Sequence, residues 1–217
     1  MDRLYNKLAG GSLERIAALS DGVFAVAMTL IVLDIHVPAH AGIATERDLW
    51  RALGAVIPNL TTYLMSFMTL GIFWVGQQTQ LNHLARADRN LAWINIVMLA
   101  IIALLPFSTS LLAAFITFRV ALILYWLNIL MFGLVAIWSW RYAKGAGLVK
   151  QDTPAYFDKA ITQRILSAQM LYALGAALCA LNTFWSIGFI LLVQFNYALA
   201  PGMIWKGWRR RPHHAGE

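Results

Sequence analysis

Six apolar runs punctuate the chain, each near the 20 or so residues that a helix needs to cross hydrocarbon. They are Arg15–Ile35, Leu53–Gln77, Leu91–Ala114, Val120–Trp140, Ile161–Leu181 and Phe184–Ile204. Charged residues gather between them. The stretch Leu91–Trp140 carries Arg119 alone as a charge and is too long for one crossing, so the pattern predicts a hairpin there. Pro106 should kink the third helix, with Ser108, Thr109 and Ser110 placed to bond the carbonyls it frees. Only Val37–Arg51 and Ala143–Lys159 have any length as connections, and neither could fold as a domain. No internal repeat or low-complexity segment is visible. The pattern predicts an all-α membrane protein with six transmembrane helices in one repeat. Residues 1–14 form an amino-terminal tail, 15–205 the six-span region and 206–217 a basic carboxy-terminal tail.

Composition agrees. Of 217 residues, 60% are hydrophobic and 12% charged, and mean hydropathy is +0.63; soluble domains run near 45–50% apolar and about 25% charged. The net charge of +7 does not point to nucleic acid, because the cations flank the apolar runs. Fourteen of the 17 Lys and Arg fall on one side of the expected topology, leaving Arg47, Arg51 and Arg119 on the other. The positive-inside rule then puts both termini in the cytoplasm of a multi-pass cell-membrane protein, the inner membrane if the source is bacterial. Trp50, Trp93, Trp138, Trp140, Trp205 and Trp208 stand near span ends, as interfacial belts require. Val23–Leu33 followed by Ala39-His40-Ala41 also fits a signal-peptide core and cleavage site. The long preceding segment with Asp2, Glu14 and Asp21 argues instead for a retained span.

Candidate chemistry is sparse. Cys179 lies in an apolar run and reads as a small hydrophobe. The pairs His36/His40 and His213/His214 supply too few ligands for a metal site. Asn59, Asn95, Asn128, Asn182 and Asn196 recur in or near spans and read as bonds between helices. No nucleophilic triad, phosphate loop or cofactor motif occurs, so the chain is expected to be no enzyme and to hold no cofactor or metal. No arginine-rich helix suggests a voltage sensor.

The first span is different. Asp21 and Asp34 are separated by about 20 Å of helix, against a hydrocarbon core about 30 Å thick, so one carboxylate lies at or below its edge. An aspartate at a helix centre costs about 2.5–3.5 kcal/mol on insertion scales, which predicts an interior helix facing protein or water. On a wheel with Val26 at zero, Leu19, Gly22, Thr29, Leu30 and Leu33 all fall within about 60° of it. Asp21 and Ser20 lie at about −140° and +120°, toward neighbouring helices. Arg15 sits near the cytoplasmic edge, where it can reach an acid or snorkel. The apolar ladder fits helix packing as well as a pore, and the polar end fits interhelical bonding as well as ion handling.

Arg15, Leu19, Ser20 and Asp21, followed by Gly22 and a run ending Thr29-Leu30 and Leu33-Asp34, resemble the Arg-x-x-x-Phe-Ser-Asp signature of the transmembrane protein 175 family of potassium channels. Tyr63, Ser66, Phe67 and Phe73-Trp74 are similar to the family's second span. Pro106-Phe107-Ser108-Thr109 and Leu124-Tyr125 are similar to its third and fourth. Leu19 replaces the signature phenylalanine, and Gln77 and Gln78 stand where relatives usually carry histidines. The resemblance implies a homotetramer of single-repeat chains in the lipid bilayer, with four first helices lining a central pore for potassium ions. It implies a constriction of apolar side chains, Val26, Leu30 and Leu33, with Thr29 as a nearby hydroxyl, in place of a carbonyl filter. Arg15, Ser20, Asp21 and Trp74 would form a structural signature network. A proton-conducting or proton-coupled carrier using Asp21, and a membrane scaffold without a pore, are the alternatives.

Overall fold

A computed structural model describes residues 12–40 and 42–199. Every regular element among them is helical. Helix α1 (Leu13–Leu30) tightens into a 3-10 turn, Ile31–Asp34, and is followed by α2 (Glu46–Asn82), α3 (Arg89–Ala103), α4 (Leu105–Ala114), α5 (Arg119–Gly145), α6 (Ala155–Ala177) and α7 (Thr183–Leu199). The amino-terminal tail before Ser12, the end of the sixth run and the basic tail 206–217 lie outside the described residues, and with them Trp205, Trp208, His213 and His214.

Local chemistry sets the helix ends. Ser12 caps α1 by accepting from Arg15 N at 3.2 Å. Thr45 and Asp48 form a reciprocal capping box, Asp48 N to Thr45 Oγ1 at 3.3 Å and Thr45 N to Asp48 Oδ2 at 3.2 Å, which satisfies two orphan donors. That box starts α2 at Glu46, inside the predicted connection, and gives a helix of 37 residues, about 55 Å long. The third span goes beyond the expected kink and is interrupted ahead of Pro106: α3 ends at Ala103 and α4 begins at Leu105. Ser108 Oγ and Thr109 Oγ1 both donate to Leu105 O, at 2.9 and 2.8 Å, within the first turn of α4 and not to the carbonyls ahead of Pro106 as expected, while Ser110 turns to Asp34. Asn128 Nδ2 of α5 donates to Ile101 O at 3.2 Å, so an asparagine from another span takes up one carbonyl beside the break.

Four segments are long and apolar enough to cross a membrane: Leu13–Asp34, Glu46–Asn82, Arg89–Ala114 and Arg119–Gly145. Helix α6 has 23 residues but carries Asp158, Lys159 and Arg164 in its first half, and α7 has 17. With α3 and α4 as one broken span, the six predicted crossings correspond to six helical segments.

Successive segments alternate in direction, so α1 starts, and α2 and α5 end, at one end of the bundle. At that end Ala85 N donates to Leu148 O at 2.8 Å and Lys150 N to His83 O at 2.9 Å, joining the α2–α3 and α5–α6 connections. Asp88 accepts from Leu91 N at 2.8 Å and from the Tyr142 hydroxyl at 2.6 Å. Asp158 accepts from Lys144 and, at 2.9 Å, from Trp140 Nε1. These two donors, Lys144 first, hold its carboxyl below the usual value of 3.8. A small core of Ile16, Leu81, Leu91, Trp140 and Ile161 underlies this end. The main core lies deeper, around Phe24, Met65, Met98, Leu105 and Tyr125, with the Phe73 and Phe132 rings stacked at 3.8 Å. Helices α6 and α7 approach closely at Gly175, where a Cβ would meet Ile190 at 2.8 Å.

Candidate functional site

Helix α1 has two faces. Ile16, Ser20, Phe24, Ala27 and, in the 3-10 turn, Ile31 are buried, at the spacing of one helical stripe. Leu19, Gly22, Val26, Thr29, Leu30 and Leu33 are exposed, with Val26 at 56%, Leu30 at 45% and Leu33 at 67%. Large apolar side chains in a row on one helix face need a partner or a lipid. The turn at Ile31–Asp34 alters the wheel. A 3-10 helix advances about 120° per residue, so Leu33 stays in line with Leu30 where an α-helix would leave it about 60° short. Thr29 Oγ1 bonds back to Ala25 O at 3.1 Å and Val26 O at 2.9 Å.

The polar end is divided between two places. Ser20 is fully buried; its hydroxyl donates to Ile16 O at 2.8 Å and lies 3.3 Å from Asn95 Oδ1. Gln77 Nε2 of α2 donates to Ser20 Oγ at 3.0 Å and to Asn95 Oδ1 of α3 at 2.8 Å. Three spans are thereby tied at one level. Asp21, the next residue, is exposed within the single chain and turns to the other flank of α2. Its Oδ1 accepts from Trp74 Nε1 at 2.8 Å and from Gln78 Nε2 at 2.6 Å. The adjacent Gln77 and Gln78 thus serve the adjacent Ser20 and Asp21.

Two readings of the sequence need correction. Arg15 and Asp21 do not pair within the described chain: six residues put them about 9 Å apart along the helix and about 120° apart around it, and Arg15 is exposed. Nor does the Asp21 carboxylate look into the interior of its own subunit, since that direction belongs to Ser20. Trp74 does meet Asp21. Asn95, Gln77 and Gln78 were not singled out as partners of the signature; their nearness to Phe73-Trp74 and to the wheel's polar flank was the available signal.

The far end of α1 is also fastened. Asp34 is half-buried, accepts from Ser110 Oγ through its carboxylate, and its carbonyl accepts from Asn59 Nδ2 at 3.1 Å. Between these ends lies a buried chain of hydroxyls. Thr109 Oγ1 lies 2.7 Å from Ser66 Oγ, which lies 3.3 Å from the Tyr125 hydroxyl. Thr69 Oγ1 is 3.0 Å from the same hydroxyl and accepts from Gln194 Nε2 at 2.7 Å. Ser66, Thr109 and Tyr125, quoted from three spans as family-like, therefore meet in one place. Among the described residues no group of three His, Cys, Asp or Glu is placed to hold a metal ion.

Residues 15–106 match the family model described as endosomal/lysosomal potassium channel TMEM175. A potassium channel of Chamaesiphon minutus is 32% identical over 189 residues, 85% of this chain and 93% of that protein. A potassium channel of Streptomyces collinus is 43% identical over 101 residues, 46% of this chain and about half, 48%, of that protein. The mouse endosomal/lysosomal proton channel TMEM175 is 35% identical over 109 residues, 48% of this chain and 22% of that protein. The crystal structure of a lysosomal potassium-selective channel TMEM175 homolog from Chamaesiphon minutus superposes with a TM-score of 0.74 at 30% identity, covering 86% of this chain and 96% of that one. The matched segment contains α1 and the partners of Ser20 and Asp21, while the likeness to the Chamaesiphon protein extends through the later helices; on that agreement the chain belongs to the TMEM175 family.

Proposed function

We propose that four copies of this chain assemble around α1 into a channel that conducts potassium passively and in preference to sodium. The observation that carries this is the division of α1. One stripe is packed and hydrogen-bonded to α2 and α3, while Val26, Leu30 and Leu33 form an apolar row that its own subunit leaves uncovered. Closed cyclic symmetry is the usual way to cover such a face in every copy. Four such rows around an axis make apolar rings, which restrict ion passage by excluding water from a narrow bore. Arg15, Ser20, Asp21 and Trp74 act as organisers of that helix, with both chain termini in the cytoplasm. The potassium-channel names of the bacterial relatives support the choice of ion.

A carrier that moves protons through Asp21 is the second reading, favoured by the exposure of Asp21 and by the proton-channel name of the mouse relative. Against it, the carboxylate oxygen already accepts two N–H donors, which suits a fixed anchor. Purified chain in lipid nanodiscs is expected to have the mass of a tetramer, and proteoliposomes to pass large unitary potassium currents without coupled proton movement. Slow saturable flux with fixed proton stoichiometry would select the carrier, and a conducting monomer would overturn the shared pore.

A further inference from the structure

A crevice of about 160 Å³ opens between α2, α5 and α6 in the half of the bundle nearest the basic connections. One face of α6 lines it from Tyr156 to Tyr172, about 24 Å of helix. Its other walls are Phe73, Gly76, Gln77, Thr79 and Gln80 of α2 and Phe132, Gly133 and Ala136 of α5, and most of the surface they present is apolar. Arg164 of α6 also lines the crevice and is half-buried. Its guanidinium has no hydrogen-bond or ion-pair partner among the described residues.

These features ask for opposite things. A guanidinium near the hydrocarbon edge is costly unless it meets an anion or water, and its planar donors match phosphate oxygens. The slot beyond it is bounded chiefly by apolar side chains and suits an apolar occupant, with Gln77, Gln80 and Gln169 as polar points along it. A cavity of about 150 Å³ lined by Leu, Ile and Phe takes a benzene, so this one takes a comparable length of acyl chain. Exposed Arg141 and Lys144 stand at the same end, on the side that the positive-inside rule makes cytoplasmic, where anionic lipids draw basic residues.

We propose that this crevice holds one acyl chain of an anionic phospholipid from that leaflet, with its phosphate on Arg164. The chain packs against the turn of α2 that carries Gln77, and Gln77 is the residue that donates to Ser20 of α1. The bound lipid therefore bears on the helix turn that holds the pore helix.

The test is native mass spectrometry of the purified full chain, delipidated and then offered phosphatidylglycerol or phosphatidylcholine. The wild type is expected to retain phosphatidylglycerol about fivefold better, the worth of one arginine at an anionic surface. Arg164→Ala should remove that preference and Arg164→Lys should keep most of it. Ala168→Trp should lower retention of both lipids by filling the slot; Ala160→Trp, nearer the mouth, serves where Ala168→Trp does not fold. Arg51→Ala, at the opposite end of the bundle beside Asp48, should change neither. Equal retention of the two lipids by the wild type overturns the proposal. So does loss in only the headgroup or only the slot variants, since the site needs both. None of these measurements depends on ion conduction, so their failure is separable from failure of the channel reading.

Discussion

The indole N–H of Trp74 donates to Asp21 Oδ1 at 2.8 Å, from one turn of α2 to the polar end of α1. Gln78 Nε2 joins it at 2.6 Å from one turn further along. Two donors on one oxygen fix the register of the two helices. Hydrogen bonds to charged groups are worth about 1.5–3 kcal/mol when enclosed, and solvent exposure of this pair in the single chain argues for the lower end. Trp74→Phe keeps the ring's bulk and removes the donor, so it should lower thermal stability or tetramer yield together with activity. Asp21→Asn should do the same. An Asp21→Asn protein that assembles with normal yield and stability, yet loses flux or its pH dependence, would support the carrier instead.

Ser20, Gln77 and Asn95 are linked across three spans, and each loses a partner when another is truncated. In water-excluded interiors an orphaned polar group costs about 1–3 kcal/mol. Interhelical hydrogen bonds measured within bilayers average about 0.6 and reach about 1.7 kcal/mol, because the separated helices find other partners. Asn95→Leu strips an acceptor from both neighbours and should destabilise by about 1.5 kcal/mol, Ser20→Ala by less. In a double-mutant cycle on unfolding, Ser20→Ala and Gln77→Leu should be non-additive. Full additivity would mean that the two side chains do not interact in the bilayer.

Much of this arrangement was legible because lipid allows so few options. Asp21 and Asp34 on one short span called for partners at both ends of α1, which α2 and α4 supply, and Pro106 announced an irregularity where α3 gives way to α4. The direction each polar residue takes was harder. Ser20 and Asp21 stand about 100° apart on any helix, but a wheel cannot say that α3 lies behind one and the outer flank of α2 beside the other. The same holds for Arg15, which a wheel sets about 120° from Asp21 without saying which acid, if any, it meets. The early start of α2 did have a signal, the Thr45 and Asp48 capping pair, which was overlooked because Glu46, Arg47 and Arg51 made the segment read as a loop. The 3-10 turn at Ile31–Asp34 had none, because Ile-Val-Leu continues the apolar pattern in either helix type.

Asp158 supplies a pH test at the basic end. Its carboxyl is held below 3.8 by the hydrogen bond from Lys144 and then that from Trp140. A depressed carboxyl contributes stability that is present above its ordinary value and lost as pH falls through the lowered one. Thermal unfolding of wild type and Asp158→Asn should therefore differ at neutral pH and converge well below pH 3.8. Because the pair is solvent-exposed, the difference should be about 0.5 kcal/mol or less. A gap that persists at the lowest pH would mean that Asp158 acts through packing and not through charge.

The apolar row on α1 yields the most direct test of the pore. Val26, Leu30 and Leu33 are largely uncovered in their own subunit, so replacing them should disturb the fold of one chain by about 0.5 kcal/mol or less. Their effect on conduction should be much larger. If four copies of Leu30 close a ring, water withdraws from it, and an ion must shed hydration to pass. Leu30→Asn puts hydrogen-bonding groups in the bore, and Leu30→Ala widens it. Both should raise single-channel conductance severalfold and weaken discrimination against sodium, with Val26→Ala acting in the same direction. Leu33→Ala should follow Leu30 more closely than straight α-helical spacing implies, because the 3-10 turn keeps the two in line. Thr29→Val is expected to matter less, since its hydroxyl already bonds to Ala25 and Val26 on its own helix. Unchanged conductance and selectivity in the Val26, Leu30 and Leu33 variants, recorded from intact tetramers, would place the constriction on another helix.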